Sequence, residues 1–142
     1  MITSQVQKIV PVSLPVVISD NAAIVTAAID TLGYDYLDVY FMFGAMDIAM
    51  AALSIGQSDT DGSYVALADF ATLPATLPSA TSDGTIFAFH VNLIGKKRYF
   101  DVTATTGDGA AGTYACAWAV LSRAGQSPSS ATTRGIAQEI FC

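Results

Sequence analysis

Apolar and polar side chains alternate with a period of two residues along most of this 142-residue chain. The clearest runs are 36–43 and 85–93, in which every second residue is apolar: Leu37, Val39, Phe41 and Phe43, then Phe87, Phe89, Val91 and Leu93. A period of two places alternate side chains on opposite faces of a β-strand, whereas a helix repeats every 3.6 residues. The pattern therefore predicts half-buried strands and an all-β fold.

The other predicted strands are short and separated by turns, and they lie at 24–29, 51–57, 64–67, 98–105, 113–121 and, as an edge strand, 136–141. Residues 113–121 are apolar on both faces, which is typical of a central strand. The turn 94–97 predicts a β-hairpin, and the glycines of 107–112 predict a loop with positive φ angles. Residues 46–52 could instead form one helical turn. Seven or eight short antiparallel strands predict a β-sandwich or a jelly-roll-like barrel.

The first 21 residues differ from the rest because they contain two prolines within an apolar stretch. Pro11 and Pro15 exclude a regular helix and disfavour a central strand, since proline has no backbone N–H. Apolar anchors lie around them: Val10, Val12 and Leu14. We predict an extended N-terminal arm over residues 1–21 that grips a neighbouring subunit, and one sandwich domain over 22–142. Removing residues 2–15 is then expected to leave the sandwich folded and to weaken assembly.

Hydrophobic residues make up 52% of the chain and charged residues 13%, yet the longest stretch without a charge, 109–122, has only 14 residues. Such a stretch is too short to span a bilayer as a helix. A chain of this size buries only about 70% of its surface on folding, so we expect the surplus apolar area to meet a partner. The net charge of -6 would repel nucleic acid. The composition predicts a subunit of an assembly that binds neither nucleic acid nor membrane.

Positive charge is concentrated only at Lys96, Lys97 and Arg98. One interpretation is a solvated turn that protects the sheet from edge-to-edge pairing. The other is contact with acidic groups on a protein partner. Together with the apolar residues near the N-terminus, the predicted contact residues are Val10, Pro11, Val12, Leu14, Pro15, Lys96, Lys97 and Arg98.

Residues that could carry catalysis or bind a metal are few and scattered. The single histidine, His90, lies on the strand face opposite the phenylalanines and has no nucleophile or orienting acid in a recognisable motif. Asp59–Gly62 has two of the carboxylates of a calcium loop and lacks its later ligands, which favours a plain turn. Trp118 is expected in the core. Cys116 and Cys142 form no CxxC motif, and the prolines interrupt any signal peptide, so we predict no enzyme activity, no cofactor and an origin in a reducing cytosol.

Three segments resemble a family of small proteins encoded among the head genes of tailed bacteriophages: AAIDTLGYDYLDVYFMFGAMDIAMAALSIGQSD, FAFHVNLIGKKRYFDVTATTGDGAAGTYACAWAVLSRA and SSATTRGIAQEI. The resemblance covers roughly residues 22–140 and is most specific at 33–38, 95–99 and 134–135. It implies a capsid decoration, or cement, subunit with a β-rich fold. It also implies homotrimers on the local three-fold axes, contact with the major capsid protein, and a place on the capsid exterior after synthesis in the host bacterial cytoplasm.

Two functions from different classes follow as hypotheses. The first is a virion structural protein that decorates the capsid. The alternative is a head fibre or adhesin-type β module that binds host surface glycans, with exposed Tyr34, Tyr36 and Tyr40 stacking on sugar rings. Tyrosine on the outer face of a strand is also common at protein interfaces, so these residues alone do not decide between the two.

Overall fold

The computed structural model describes residues 6–18, 21–24, 26–72, 75–123 and 132–136, without the side chain of Arg134. The described part of the chain forms two four-stranded antiparallel sheets from β1 (Lys8–Ile18), β2 (Ile29–Asp30), β3 (Tyr36–Phe43), β4 (Ala52–Ser58), β5 (Val65–Asp69), β6 (Ile86–Asn92), β7 (Tyr99–Thr105) and β8 (Thr113–Ser122). A short 3-10 turn, Thr132–Arg134, lies against β1. The predicted all-β sandwich is confirmed.

The strand order is β1-β8-β3-β6 in the first sheet and β2-β7-β4-β5 in the second. The strands therefore pair in a nested way: β1 with β8, β2 with β7, β3 with β6, and β4 with β5. This is the arrangement of a jelly roll. Only the connection between β4 and β5 stays within one sheet. Every other connection crosses from one sheet to the other.

The β-hairpin predicted at 94–97 is wrong, because β6 belongs to the first sheet and β7 to the second. The chain does turn there: Lys96 N–H donates to the carbonyl of Leu93 at 2.9 Å, and Gly95 has a φ of 72°. Lys97 and Arg98 then carry the chain across the end of the sandwich. Alternation identifies both strands, but it does not distinguish pairing within a sheet from crossing between sheets.

The core lies between the two sheets, and β3 forms its centre. Its inward side chains are all fully buried, as predicted: Leu37, Val39, Phe41 and Phe43. The facing positions of neighbouring β8 are small, since Ala115, Ala117 and Ala119 lie opposite Phe43, Phe41 and Val39. Large and small residues thus alternate across the two strands, which leaves room for the phenylalanine rings between the sheets.

The N-terminal segment is extended, as predicted, but residues 8–18 form the edge strand of the first sheet and do not project from the sandwich. Val12 and Ile18 are 3% and 5% exposed and belong to the core. The pairing of β1 with β8 shifts register between Pro11 and Ser13 and again between Ser13 and Val16. An edge strand with bulges is where a sheet accepts proline, so residues 8–18 belong to the first sheet of the sandwich.

Two smaller predictions are also corrected. The strand expected at 24–29 is limited to β2 and a single bridge between Ala23 and Thr105. Between them the chain stays beside β7, since Ile24 N–H donates to the carbonyl of Ala104 and Thr26 Oγ1 donates to the carbonyl of Val102, both at 2.8 Å. Ala27 N–H donates to the carbonyl of Val12 of β1 at 2.9 Å. Residues 46–52 form bends that lead into β4, and no helical turn. The edge strand predicted at 136–141 lies outside the described residues apart from Ile136.

The glycines of 107–112 serve a different purpose from the one predicted. The positive-φ glycines lie elsewhere in the described chain. At Gly107 and Gly112 a Cβ atom would collide with the carbonyl oxygens of Ala49 and Ile18, so these positions require glycine for space. The Asp47 carboxylate holds the same loop by accepting hydrogen bonds from the N–H groups of Ala110 and Ala111.

Asp47→Ala is expected to release this loop. The hydrogen bonds from Ala110 and Ala111 lower the pKa of Asp47, so its contribution is present above the usual carboxyl range and is lost as the pH falls through the lowered value. Amide exchange at Ala110, corrected for intrinsic rate, should quicken about tenfold or more in the variant. Asp108→Ala, in the same loop, is the control. Equal exchange in wild type and Asp47→Ala would show that the carboxylate does not hold the loop.

Candidate interaction surface

Side chains of the first sheet that point away from the core form one continuous surface, which we call the outer face. Its position follows from the register of the four strands, because directly opposed residues of antiparallel strands point to the same side. Its members are Ile9, Pro11, Val17, Tyr36, Asp38, Tyr40, Met42, Ile86, Ala88, His90, Asn92, Tyr114, Cys116, Trp118, Val120 and Ser122. Most are apolar or aromatic, although no strand of the described part of the chain covers this side of the sheet.

The centre of the outer face is a row of packed rings. Tyr40 and Trp118 are opposed across β3 and β8, with their ring centroids 5.7 Å apart and their planes at 26°. Trp118 is half-buried on this surface and not in the core as predicted. His90 meets Tyr40 edge-on at 6.0 Å, and its Nδ1 lies 2.6 Å from Asp38 Oδ1. The charged or chargeable groups at the centre are therefore paired with each other, and the face is close to neutral.

The tyrosines considered for glycan binding do not share one surface. Tyr34 packs behind the sheet against the core, and burial raises its pKa. Tyr36 lies on the outer face, with the Arg123 guanidinium 5.4 Å from its ring centroid. Tyr40 has one ring face covered by Trp118. The surface thus presents ring edges and aliphatic groups more than free ring faces.

Several large apolar side chains of the outer face are well exposed: Ile9, Met42, Ile86 and, at 56%, Tyr114. Contiguous apolar patches above a few hundred Å² are rare on monomeric soluble proteins and mark sites of interaction. Beside them lies a depression of about 380 Å³, which we call the outer depression, lined by Pro15, Val16, Val17, Met42, Phe43, Gly44, Gly84, Tyr114, Ala115 and Cys116. The arrangement is suited to contact with another protein surface.

The apolar residues predicted as contacts are divided by the fold. Val12 is buried in the core, and Val10 is half-buried and packs against it, because both face the inner side of β8. Pro11, Leu14 and Pro15 are exposed. Leu14, at 74% exposed, lines a separate groove of about 620 Å³ between β1 and residues 22–24, 26 and 27.

The predicted basic cluster does not form a free positive patch. Lys97 Nζ lies 2.9 Å from Asp59 Oδ2. Arg98 binds Asp30 with two hydrogen bonds of 2.8 and 2.7 Å, which lower the pKa of Asp30. Lys96 is exposed and has no ion pair among the described side chains. The structure therefore neutralises two of the three cations within the chain.

Arg98→Ser is expected to lower Tm slightly, and Lys96→Ser, the matched control, to leave it unchanged. Arg98 connects the start of β7 to Asp30 at the end of β2, but this pair is exposed, and exposed pairs contribute little. Its contribution is present above the usual carboxyl range and disappears as the pH falls through the lowered pKa of Asp30. Thermal unfolding at neutral and acidic pH measures the difference. A larger loss in Lys96→Ser would contradict the assignment.

No other group in the described residues forms a recognisable chemical site. The Asp59–Gly62 segment is a turn, as predicted, in which Asp61 accepts a hydrogen bond from the Tyr64 hydroxyl at 2.6 Å. Burial and this carboxylate raise the pKa of Tyr64 to about 12. Within the described part of the chain, no group of three or more possible metal ligands is found and no helix is long and apolar enough to cross a membrane. Cys142 lies outside the described residues.

Comparison with known proteins gives little guidance. No protein-family model matches the sequence, and no curated protein matches it. Among solved structures, a chain from Bacillus endospore appendages, described as "a novel family of disulfide-linked pili", is 16% identical and has a TM-score of 0.38. That match covers 82% of this chain and 88% of the other. At this TM-score the similarity supports no argument about function.

Proposed function

We propose that this protein is a virion structural protein, a capsid decoration subunit that binds the lattice of the major capsid protein on the exterior of the head. The observation that carries the proposal is the outer face, a broad, nearly neutral, apolar surface on a rigid sheet. The resemblance of three sequence segments to small phage head proteins supports the same function. A structural subunit of this kind needs surface and no catalytic group.

Binding through the outer face would stabilise the head by mass action. A ligand that binds the assembled lattice and not its free subunits shifts the equilibrium toward assembly in proportion to its affinity and concentration. An apolar contact gives affinity with little dependence on salt, whereas exposed ion pairs are screened. Three copies around a local three-fold axis would place three such faces on the shell.

Glycan binding is the less supported alternative. It relied on exposed Tyr34, Tyr36 and Tyr40, whereas Tyr34 packs against the core, apart from the outer face that carries the other two. Stacking on a sugar requires a free aromatic face, whereas Tyr40 packs against Trp118 and Tyr36 lies under Arg123. A protein partner could instead contact the edges of the packed Tyr40 and Trp118 rings, because shape complementarity between proteins does not require a free ring face.

The test is to add purified protein to heads that lack it and to measure co-sedimentation. Ile9→Asp and Ile86→Asp place a charge at opposite edges of the outer face and should each weaken binding about tenfold or more. Val65→Asp is the matched control, since Val65 is 61% exposed on the second sheet. Cryo-electron microscopy of intact particles should show the subunit on the shell. Its absence there, or equal binding by all variants, would overturn the proposal.

A further inference from the structure

The described lysine and arginine side chains all lie at one end of the sandwich, where the carboxylates of Asp30, Asp35 and Asp59 pair with three of them. Because β3 and β6 are antiparallel, the start of β3 and the end of β6 share one end, which we call the basic end. All described lysine and arginine side chains lie there: Lys8, Lys96, Lys97, Arg98 and Arg123. The opposite end, where β3 ends and β8 begins, holds no lysine or arginine among the described residues.

The opposite end, which we call the acidic end, carries four carboxylates on its loops and strand ends: Asp47, Asp69, Asp83 and Asp108. The outer depression opens beside this end, since it is lined by Met42 near the end of β3 and Tyr114 near the start of β8. Asp83 is exposed, and the turn that carries it contributes Gly84 to the lining. The depression is thus an apolar site with one exposed carboxylate, Asp83, next to its lining residue Gly84.

The basic end presents a feature with the matching chemistry. Ile94 is 75% exposed at the tip of the turn after β6. Lys96, two residues later, is exposed and has no ion pair among the described side chains. One turn therefore carries a large exposed apolar side chain and, two residues later, an exposed cation without an ion pair among the described side chains. The neighbouring Lys97 and Arg98 are neutralised by Asp59 and Asp30.

We propose that the Ile94–Lys96 turn of one copy docks on the outer depression of a second copy. Ile94 would contact the apolar lining and Lys96 would face the Asp83 carboxylate. Because turn and depression lie at opposite ends of one subunit, the contact is heterologous and uses a different patch on each partner; such contacts close into rings when the rotation allows it and otherwise continue. Met42, Tyr114 and Cys116 also belong to the outer face, so docking would occupy this part of it. The inference goes beyond capsid binding and does not depend on it.

The first test uses purified protein alone in sedimentation velocity experiments. Ile94→Asp disables the turn and keeps the depression, whereas Met42→Asp disables the depression and keeps the turn. Each variant alone should self-associate at least about tenfold more weakly than wild type. Mixed together, they should form one-to-one heterodimers, because one intact turn and one intact depression remain. A monomeric wild type, or a mixture that stays monomeric, would overturn the proposal.

The second test exchanges the charges. Lys96→Asp and Asp83→Lys should each weaken association, and the double variant should recover it, because opposite charges again face each other. Lys8→Asp makes the same change of charge at the same end and should have no effect. Equal weakening by Lys8→Asp, or no recovery in the double variant, would rule out the specific pair. Circular dichroism verifies that each variant is folded. If Ile94→Asp does not fold, Ile94→Ser replaces it, and if Met42→Asp does not fold, Val17→Asp replaces it. No heads are present, so failure here is distinct from failure of capsid binding.

Discussion

Deleting residues 2–15 is expected to unfold the sandwich or to lower its Tm by about 15 °C or more. The deletion removes most of β1, which pairs with β8 along its length, and removes Val12 from the core. Burial of one such side chain contributes about 1.5–3 kcal/mol, and each lost ladder hydrogen bond about 0.5–1.5 kcal/mol. Against a total of about 5–15 kcal/mol for a typical domain, the loss is a large fraction of the stability.

Thermal unfolding followed by circular dichroism measures this effect. Deletion of residues 2–5 leaves β1 intact and serves as the matched control. A truncated protein lacking residues 2–15 that unfolds at the wild-type temperature would return the segment to the role of a detachable arm, as the sequence alone predicted.

Phe41→Ala is the point substitution for which we expect one of the largest losses of stability, about 3–5 kcal/mol. Phe41 is fully buried at the centre of the core and lies directly opposite Ala117 on β8. Removing the ring leaves a cavity that the surrounding sheets cannot close without moving closer together and disturbing the rest of the core. The converse change, Ala117→Phe, should cost about 1–3 kcal/mol through overpacking.

The double variant Phe41→Ala with Ala117→Phe tests whether the two sites share one volume. We expect its loss to be smaller than the sum of the single losses, since the new ring at 117 occupies part of the cavity at 41. Chemical denaturation of all four proteins gives the coupling free energy. Strictly additive losses would show that the two side chains do not fill a common space.

Strand positions were predictable to the extent that one face of each strand is buried. The alternation in β3 and β7 marks their inward residues because burial selects apolar side chains at every second position. The same alternation does not predict which strands pair with each other. The turn at Gly95 has the residues of a hairpin, yet it connects strands of different sheets. Whether β6 and β7 pair with each other depends on the strands, distant in sequence, that lie beside each of them.

The same reason limits what the sequence says about interaction sites. Lys97 and Arg98 look like a positive patch until the fold places Asp59 and Asp30 beside them, both far away in sequence. The outer face had a detectable signal, since the outward positions of β3 and β8 carry tyrosine, methionine and tryptophan where a solvated strand would carry lysine or glutamate. Only the pairing of these strands shows that the residues form one surface.

Nested pairing of the strands also determines how one subunit would respond to mechanical force. Lys8 and Leu121 are opposed at the outermost pair of β1 and β8, so the start of β1 and the end of β8 lie side by side. A force that pulls these two strand ends apart would break the hydrogen bonds between β1 and β8 one pair at a time, and would not load all of them at once. A partner lying across β1, β8 and β3 would hold these strands together, so the assembled subunit would bear a load that the isolated one does not.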